Sequence, residues 1–160
     1  MNEKKKKRIR GFEVVEDKFR IYPNVKIEVP IRGDSKSAGY DMRTPVDIRL
    51  KPNERKIIFT DLKAYMNDNE VLDVYVRSSI GVKRGIHLSN GTGIIDASAY
   101  DNGENDGNIG LSLWNTNDYD VNIKAGERIC QGIFKTYLIA DHDEYLETER
   151  RGIFGSSGEI

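Results

Sequence analysis

Two polar side chains bracket a glycine-rich reversal in the stretch 88–100, and their chemistry suits a small planar ligand. Asn90 offers an amide donor and acceptor, and Asp96 supplies a carboxylate six positions later. Gly91 and Gly93 lie between them, and a backbone without side chains lets a flat ring approach closely. With strand-forming residues on both sides, the pattern predicts a β-hairpin that holds a polar ring and acts on a group attached to it.

Two segments earlier in the chain suit metal and phosphate chemistry. Asp41 follows a turn that contains Gly39, where a carboxylate can hold a hydrated Mg²⁺ or satisfy its own turn. Arg77 is followed by Ser78 and Ser79, which together present a charged fork and two short hydroxyl donors. That combination suits phosphate oxygens, although a polar strand end has the same composition.

A later segment begins with a turn at Gly126 and leads into a strand whose residues alternate between two faces. Alternation predicts one face with Ile129, Gln131 and Ile133 and another with Arg128, Cys130 and Gly132. Gln131 among apolar neighbours needs a hydrogen-bond partner if it is buried. Cys130 is interpreted as a small core residue rather than a nucleophile, because no activating base lies near it in sequence.

The C-terminal tail combines an arginine, an aromatic ring and hydroxyls in a glycine-rich context. Arg151 and the backbone around Gly155 and Ser156 could hold phosphate, and Phe154 could stack on a ring. A disordered tail is the alternative interpretation of the same composition.

Short strands are predicted to position these segments, because no stretch has a long helical period. Alternating or β-branched runs at roughly 8–12-residue spacing predict an all-β sandwich, jelly roll or barrel. The predicted strands are 25–31, 46–50, 55–60, 61–65, 71–76, 85–90, 93–96, 109–114, 120–124 and 127–140. The acidic insert 101–108 is interpreted as an enlarged hairpin tip rather than a metal or partner site.

The length, charge and cysteine content of the chain limit the possible classes of function. The chain has 160 residues, enough for one domain, and its net charge of -1 gives no bulk attraction to nucleic acid. The basic block 4–8 favours a solvated terminus over a nucleic-acid or membrane arm. A single cysteine excludes an internal disulfide, and no apolar run is long enough for a membrane span. We therefore expect a soluble, cytoplasmic protein without nucleic-acid or membrane contacts.

Taken in order from Ala38 to Gly158, the five segments resemble the five motifs of the trimeric dUTPase family. That resemblance implies a jelly-roll homotrimer in which three chains build each active site. It implies hydrolysis of dUTP to dUMP and pyrophosphate with Mg²⁺, which limits uracil in DNA and supplies dUMP. It also divides the chain into a basic, flexible N-terminus (1–19), a β domain (20–140) and a flexible C-terminal arm (141–160) that closes over a neighbouring active site.

The resemblance also implies a role for each motif residue. Asp96 would activate the water that attacks the α-phosphorus, and Asp41 would bind Mg²⁺ through water. Tyr100 would pack on the deoxyribose and exclude a 2′-hydroxyl. The remaining substrate contacts would be Arg77, Ser78, Ser79 and Gln131 at phosphate, Asn90, Gly93 and Ile94 at uracil, and Arg151, Phe154, Gly155 and Ser156 in the closing tail.

Two other functions remain as alternatives, and a third is excluded. The dCTP deaminases share this fold, but their chemistry depends on a Glu beside the pyrimidine, where this hairpin has Asp96. A zinc cytidine deaminase is excluded, because His87, His142 and Cys130 cannot supply its ligand set. A phage-type dUTPase with an added regulatory protein partner is motivated by the insert 101–108 and the basic N-terminus.

Overall fold

The computed structural model describes residues 7–147. In this part of the chain the structure consists of short strands, one α-helix and two 3₁₀ helices, Asp17–Phe19 and Ala97–Ala99. The strands are β1 Gly11–Val14, β2 Ile31–Arg32, β3 Tyr40–Arg43, β4 Ile48–Leu50, β5 Arg55–Phe59, β6 Leu62–Tyr65, β7 Glu70–Val76, β8 Ile86–Leu88, β9 Gly93–Asp96, β10 Gly110–Asn115, β11 Val121–Ile123 and β12 Arg128–Thr136, and the helix is α1 Ser78–Arg84. The all-β prediction is confirmed.

Alternation along the strands explains the core. In β7, Leu72 and Val74 are buried, whereas Asp73 and Tyr75 between and beyond them are only half-buried. The same period holds in β10, where Leu111 and Leu113 point inward. The fully buried apolar side chains come from all parts of the fold and include Met42, Leu50, Leu72, Ile86, Leu113, Ile123 and Ile129.

Within residues 7–147, four antiparallel sheets are formed largely by strands that are distant in sequence. The largest has the order β2-β3-β12-β7-β9, and a second has the order β5-β10-β8. Strand β1 pairs with β6, and β11 pairs with β4. Because β12 lies between β3 and β7, the sheet places residues from three distant segments beside one another.

The predicted strand over 25–31 is wrong in its extent. Only Ile31–Arg32 joins a sheet, although Val25 and Ile27 are partly buried as alternation requires. Pro30 has no backbone N–H to donate to a ladder, and Val29 before it is 48% exposed.

The predicted hairpin in 88–96 is also wrong in its pairing. The chain does reverse, with Gly91 at a φ of 74° and its N–H donating to the Leu88 carbonyl at 3.0 Å. However, β8 pairs with β10, and β9 pairs with β7. The reversal therefore crosses from one sheet to another, and it opens a cleft between them.

The insert 101–108 is not a hairpin tip but a packed loop. Asn102, Asp106 and Asn108 are each at most 6% exposed. The Asp61 N–H donates to Asn108 Oδ1 at 2.9 Å, which joins the loop to the body of the domain. These polar side chains find partners inside the fold, so burial is compatible with their charge and polarity.

The domain also begins before residue 20. Gly11–Val14 forms β1 on β6, and Phe12 and Val15 are buried. The boundary expected at residue 20 is therefore too late, because apolar residues at alternate positions draw this segment onto the core.

Helix α1 was not predicted, since seven residues are too few for a clear helical period. It starts after Arg77, which is extended, and buries only Ile80. It ends at Gly85, whose φ of 63° is the left-handed conformation that glycine adopts without strain.

A β-bulge near the start of β12 corrects the predicted faces of that strand. The register shifts between Arg128 and Cys130, so Ile129 and Cys130 are both buried. Beyond the bulge the alternation holds, with Gly132 inward and Gln131 on the other face. The core assignment of Cys130 is confirmed, and burial raises the pKa of its thiol to about 12.

Candidate functional site

A carboxylate held by two guanidinium groups marks the first cluster of predicted residues. Asp41 in β3 pairs with Gln131 in β12, so both side chains leave the sheet on the same face. Arg77 Nε lies 3.0 Å from Asp41 Oδ1, and Arg128 Nη1 lies 3.2 Å from Asp41 Oδ2. Both carboxylate oxygens of Asp41 are therefore engaged, and its side chain is only 11% exposed.

An open groove of about 520 Å³ adjoins this pair and is lined by four arginines. They are Arg43, Arg77, Arg84 and Arg128. Ser79 also lines the groove, whereas Ser78 is exposed at the start of α1. Arg84 pairs with Glu127 at 2.8 Å, Arg43 pairs with Glu28 at 3.6 Å, and Arg77 and Arg128 share Asp41, so four guanidinium groups face three carboxylates. A small excess of positive charge remains, and guanidinium groups suit the oxygens of a polyphosphate.

The position of the Gln131 side chain depends on Gly39, which faces it. A Cβ built on Gly39 would lie 2.2 Å from Gln131 Oε1 and 3.0 Å from Gln131 Cβ. Only glycine at position 39 leaves room for the amide in this position, beside Asp41.

The second cluster surrounds the cleft between β8 and β9. The cleft is small, and its lining includes Asn90, Gly93, Leu88 and Ser112. A Cβ on Gly93 would lie 3.0 Å from the Val74 Cβ, so the two strands approach closely there. Asn90, at its rim, can present an amide to a ring in the cleft.

Ile94 and Asp96 leave β9 on its other face. Ile94 pairs with Asp73 and is 61% exposed, so only its backbone is available to the cleft. Asp96 is half-buried and pairs with Val71. Arg77 lies six positions after Val71, the partner of Asp96, and just beyond the end of β7. Six residues of extended strand span roughly 20 Å. One chain therefore does not bring Asp96 to the arginine groove.

Tyr100 follows the 3₁₀ helix after β9 and is held by residues that were not predicted. Its hydroxyl donates to Glu13 Oε2 at 2.5 Å, and Lys63 Nζ lies 4.7 Å from its ring centroid. Burial and the hydrogen bond to Glu13 both raise the pKa of Tyr100. The alternation of Phe12 and Val14 around Glu13 is the signal that could have found this strand.

Several predictions concern residues or properties outside these two clusters. The tail residues Arg151, Phe154, Gly155 and Ser156 lie outside the described residues. Within 7–147, no group of three or more His, Cys, Asp or Glu side chains could hold a metal by itself. No helix in the same range is long and apolar enough to cross a membrane.

Comparison with known proteins gives a consistent result. The family model described as dUTPase matches residues 25–158. The deoxyuridine 5′-triphosphate nucleotidohydrolase of Lactococcus lactis is 45% identical over 152 residues, which cover 94% of this chain and 99% of that one. The crystal structure of dUTPase from Streptococcus mutans is 34% identical, with a TM-score of 0.73 over 82% of this chain and 98% of that one.

A more distant structure shares the fold alone. It is a mutant dUTPase from phage phi11 of S. aureus, which is 18% identical with a TM-score of 0.67 over 89% of this chain and 100% of that one. That structure reveals the coordination of a structural Mg(II) ion. These matches confirm the predicted jelly-roll fold, do not favour the dCTP deaminase alternative, and do not support a regulatory protein partner.

Proposed function

This chain belongs to the dUTPase family and hydrolyses dUTP to dUMP, and we propose that its two residue clusters bind opposite ends of that nucleotide. The observation that carries the proposal is the four-arginine groove beside Asp41. The triphosphate is the part of this nucleotide that several guanidinium groups suit. The cleft beside Asn90 and Gly93 then takes the uracil.

At the phosphate end, Arg77 supplies a fork that can bind two oxygens at once. Ser79 lines the same groove, Ser78 is exposed beside it, and Gln131 is presented from the neighbouring strand. Positioning and charge neutralisation are the main requirements of phosphoryl and nucleotidyl transfer, and these residues supply both.

Asp41 is the residue that would hold Mg²⁺. Magnesium is usually bound in enzymes by one or two carboxylates together with waters and substrate phosphates, and the Asp41 carboxylate beside a phosphate groove fits that pattern. Because Arg77 and Arg128 already engage Asp41, contact through water is the arrangement that these residues favour. When bound, the ion would neutralise charge on the phosphates.

At the base end, Asn90 and the backbone of Gly93 and Ile94 would hydrogen-bond the uracil edge. Tyr100 would pack on the deoxyribose. Asp96 would take a proton from water, whose oxygen bonds to the α-phosphorus while the bond to the bridging oxygen breaks and pyrophosphate leaves. The products are dUMP and pyrophosphate, and the consumption of one water balances the reaction.

We further propose that each site is shared between chains of a homotrimer. The separation of roughly 20 Å between Asp96 and Arg77 within one chain supports this, because both must reach the same triphosphate. Exposed apolar side chains after β12 support docking of the arm 141–160 on a neighbouring copy. Leu138 is 98% exposed, Tyr145 79% and Leu146 77%.

The decisive experiment is pyrophosphate release from dUTP, dCTP, dTTP and UTP, each with and without Mg²⁺. We expect rapid release from dUTP alone, with strong dependence on Mg²⁺. Equal release from all four nucleotides would contradict the placement of uracil in the cleft. Ammonia release from dCTP, measured in parallel, would favour the deaminase alternative. The nucleotide substrate supports a cytoplasmic location for the enzyme.

A further inference from the structure

We propose that Glu13, in the N-terminal strand β1, is a positioning residue that sets the sugar selectivity of the enzyme by holding Tyr100. This inference rests on the proposed role of Tyr100 at the deoxyribose. Glu13 is distant from the five motifs in sequence and would touch no part of the substrate itself.

The contact between Glu13 and Tyr100 follows from strand pairing. In the β1–β6 ladder Glu13 lies opposite Lys63, so the two side chains leave the sheet on the same side. The Glu13 carboxylate then accepts the Tyr100 hydroxyl at 2.5 Å, and its side chain is only 28% exposed. A charged acceptor in a partly buried position makes a stronger and more directional bond than a neutral one.

Lys63 completes the frame around the tyrosine ring. Its side chain is 6% exposed, and Nζ lies 4.7 Å from the Tyr100 ring centroid. The same ammonium donates to Asp101 Oδ1 at 2.5 Å and to Asp106 Oδ1 at 2.9 Å. The insert 101–108 is therefore tied to the strand that carries Lys63, directly after Tyr100.

The N-terminal segment also contacts this insert directly. Asp106 Oδ2 accepts the backbone N–H of Glu16 at 2.8 Å. Tyr100 is thus held by its hydroxyl, by the face of its ring and by the loop that follows it. The chain before residue 20 contributes to two of these restraints.

The charge states support a persistent contact. Burial alone would raise the pKa of Glu13, but hydrogen bonds from Tyr100 and Arg8 lower it overall. Burial alone would lower the pKa of Lys63, but its bonds to Asp101 and Asp106 raise it overall. Glu13 and Lys63 therefore remain charged at neutral pH, as their contacts with Tyr100 require.

The functional consequence concerns a single hydroxyl group. Excluding a 2′-hydroxyl requires the ring to resist a small displacement, because a ring that can shift aside accommodates the extra oxygen. A tyrosine anchored only at its backbone has freedom about χ1 and χ2 that the bond to Glu13 removes. Loss of the anchor should therefore raise the use of UTP more than it lowers the use of dUTP.

The test compares the ratio of kcat/KM for dUTP to that for UTP in Glu13→Ala, Tyr100→Phe and the double variant. We expect each single change to lower the ratio by about tenfold, and the double change to add little, since both remove the same bond. Glu13→Gln keeps an acceptor oxygen at the same place and should retain most of the selectivity. Glu16→Ala, whose exposed side chain pairs only with Lys18 among the described residues, is the matched control.

Two further measurements separate the possible outcomes. Thermal melting identifies a purely structural role, which would lower stability but leave the selectivity ratio unchanged and so overturn the proposal. Tyr100→Ala tests the proposed function itself. If it lowers the ratio while Glu13→Ala and Tyr100→Phe do not, the role of Glu13 is refuted and that of Tyr100 stands. If it also leaves the ratio unchanged, Tyr100 is not at the sugar and both statements fail.

Discussion

Arg77 Nε and Asp41 Oδ1 lie 3.0 Å apart, so the residue proposed for phosphate and the residue proposed for Mg²⁺ form one ion pair. Arg128 holds the second oxygen of the same carboxylate at 3.2 Å. The Asp41 carboxylate is thereby fixed in direction at the edge of the arginine groove. A change at Asp41 should accordingly affect both the metal and the phosphate grip, because two guanidinium groups lose their partner.

Asp41→Asn is expected to weaken the apparent affinity for Mg²⁺. An amide has no charge to orient metal-bound water, and loss of an outer-sphere ligand typically costs about 10–100-fold in metal affinity. Titration of dUTP hydrolysis with Mg²⁺ measures this shift. Asp47→Asn, an exposed carboxylate 3.8 Å from Lys124, is the control and should leave the titration unchanged. An identical midpoint in Asp41→Asn would remove this residue from the metal site.

Gly39→Ala is expected to raise KM for dUTP severalfold. The new methyl group would lie 2.2 Å from Gln131 Oε1, so the amide must turn away from the groove. Gly33→Ala is the matched control, because its nearest neighbour would be the Ser37 Oγ at 4.0 Å. Steady-state kinetics on the two variants decides the point, and equal KM values would show that Gln131 does not contact the substrate.

Local patterns were sufficient to predict most strands, because a half-buried strand alternates whatever it pairs with. Residues of β10 and β12 could be placed as strands in this way. The partners of each strand could not be predicted, because antiparallel pairing joins positions as distant as Asp41 and Gln131 without a local signal. This is why 88–96 was expected to be one hairpin and is instead shared between two sheets.

In the candidate site, too, residue types could be predicted from the sequence but contacts between distant segments could not. The residue types of Asp41, Arg77 and Gln131 predicted a phosphate and metal cluster, and the ladder places them together. Glu13 and Lys63 were missed, since their importance arises only from a contact between β1, β6 and the loop after Tyr100. The alternation of Phe12 and Val14 could have indicated the strand, but nothing in the sequence distinguishes Glu13 from any other polar strand residue.

Lys63→Gln is expected to destabilise the fold by roughly 3 kcal/mol at neutral pH, since it leaves the buried Asp106 carboxylate without its ammonium partner. Because the folded state raises the pKa of Lys63, its charge stabilises the fold below the pKa of the unfolded chain, about 10.4. That contribution decreases progressively as the pH rises from this value through the higher pKa of Lys63 in the folded state. Chemical denaturation at several pH values should therefore show a difference between wild type and variant that shrinks in alkali.

Lys56→Gln is the control for this experiment, because Lys56 is 42% exposed and pairs with Glu54 at 3.7 Å. An exposed pair of this kind contributes less than about 1 kcal/mol. A Lys63→Gln variant as stable as the control would show that the insert is not held by this lysine.

Mixed assemblies of two inactive variants provide the sharpest test of a shared site. Asp96→Asn and Arg77→Ala should each abolish dUTP hydrolysis, the first by removing the base and the second by removing the phosphate fork. If one site takes Asp96 and Arg77 from different chains, random co-assembly restores about a quarter of the wild-type activity, since each residue must come from the variant that retains it. Pyrophosphate release from co-expressed chains measures this recovery. If both residues served a site within one chain, the mixture would stay as inactive as either variant alone, and the distance of roughly 20 Å between them would need a different explanation.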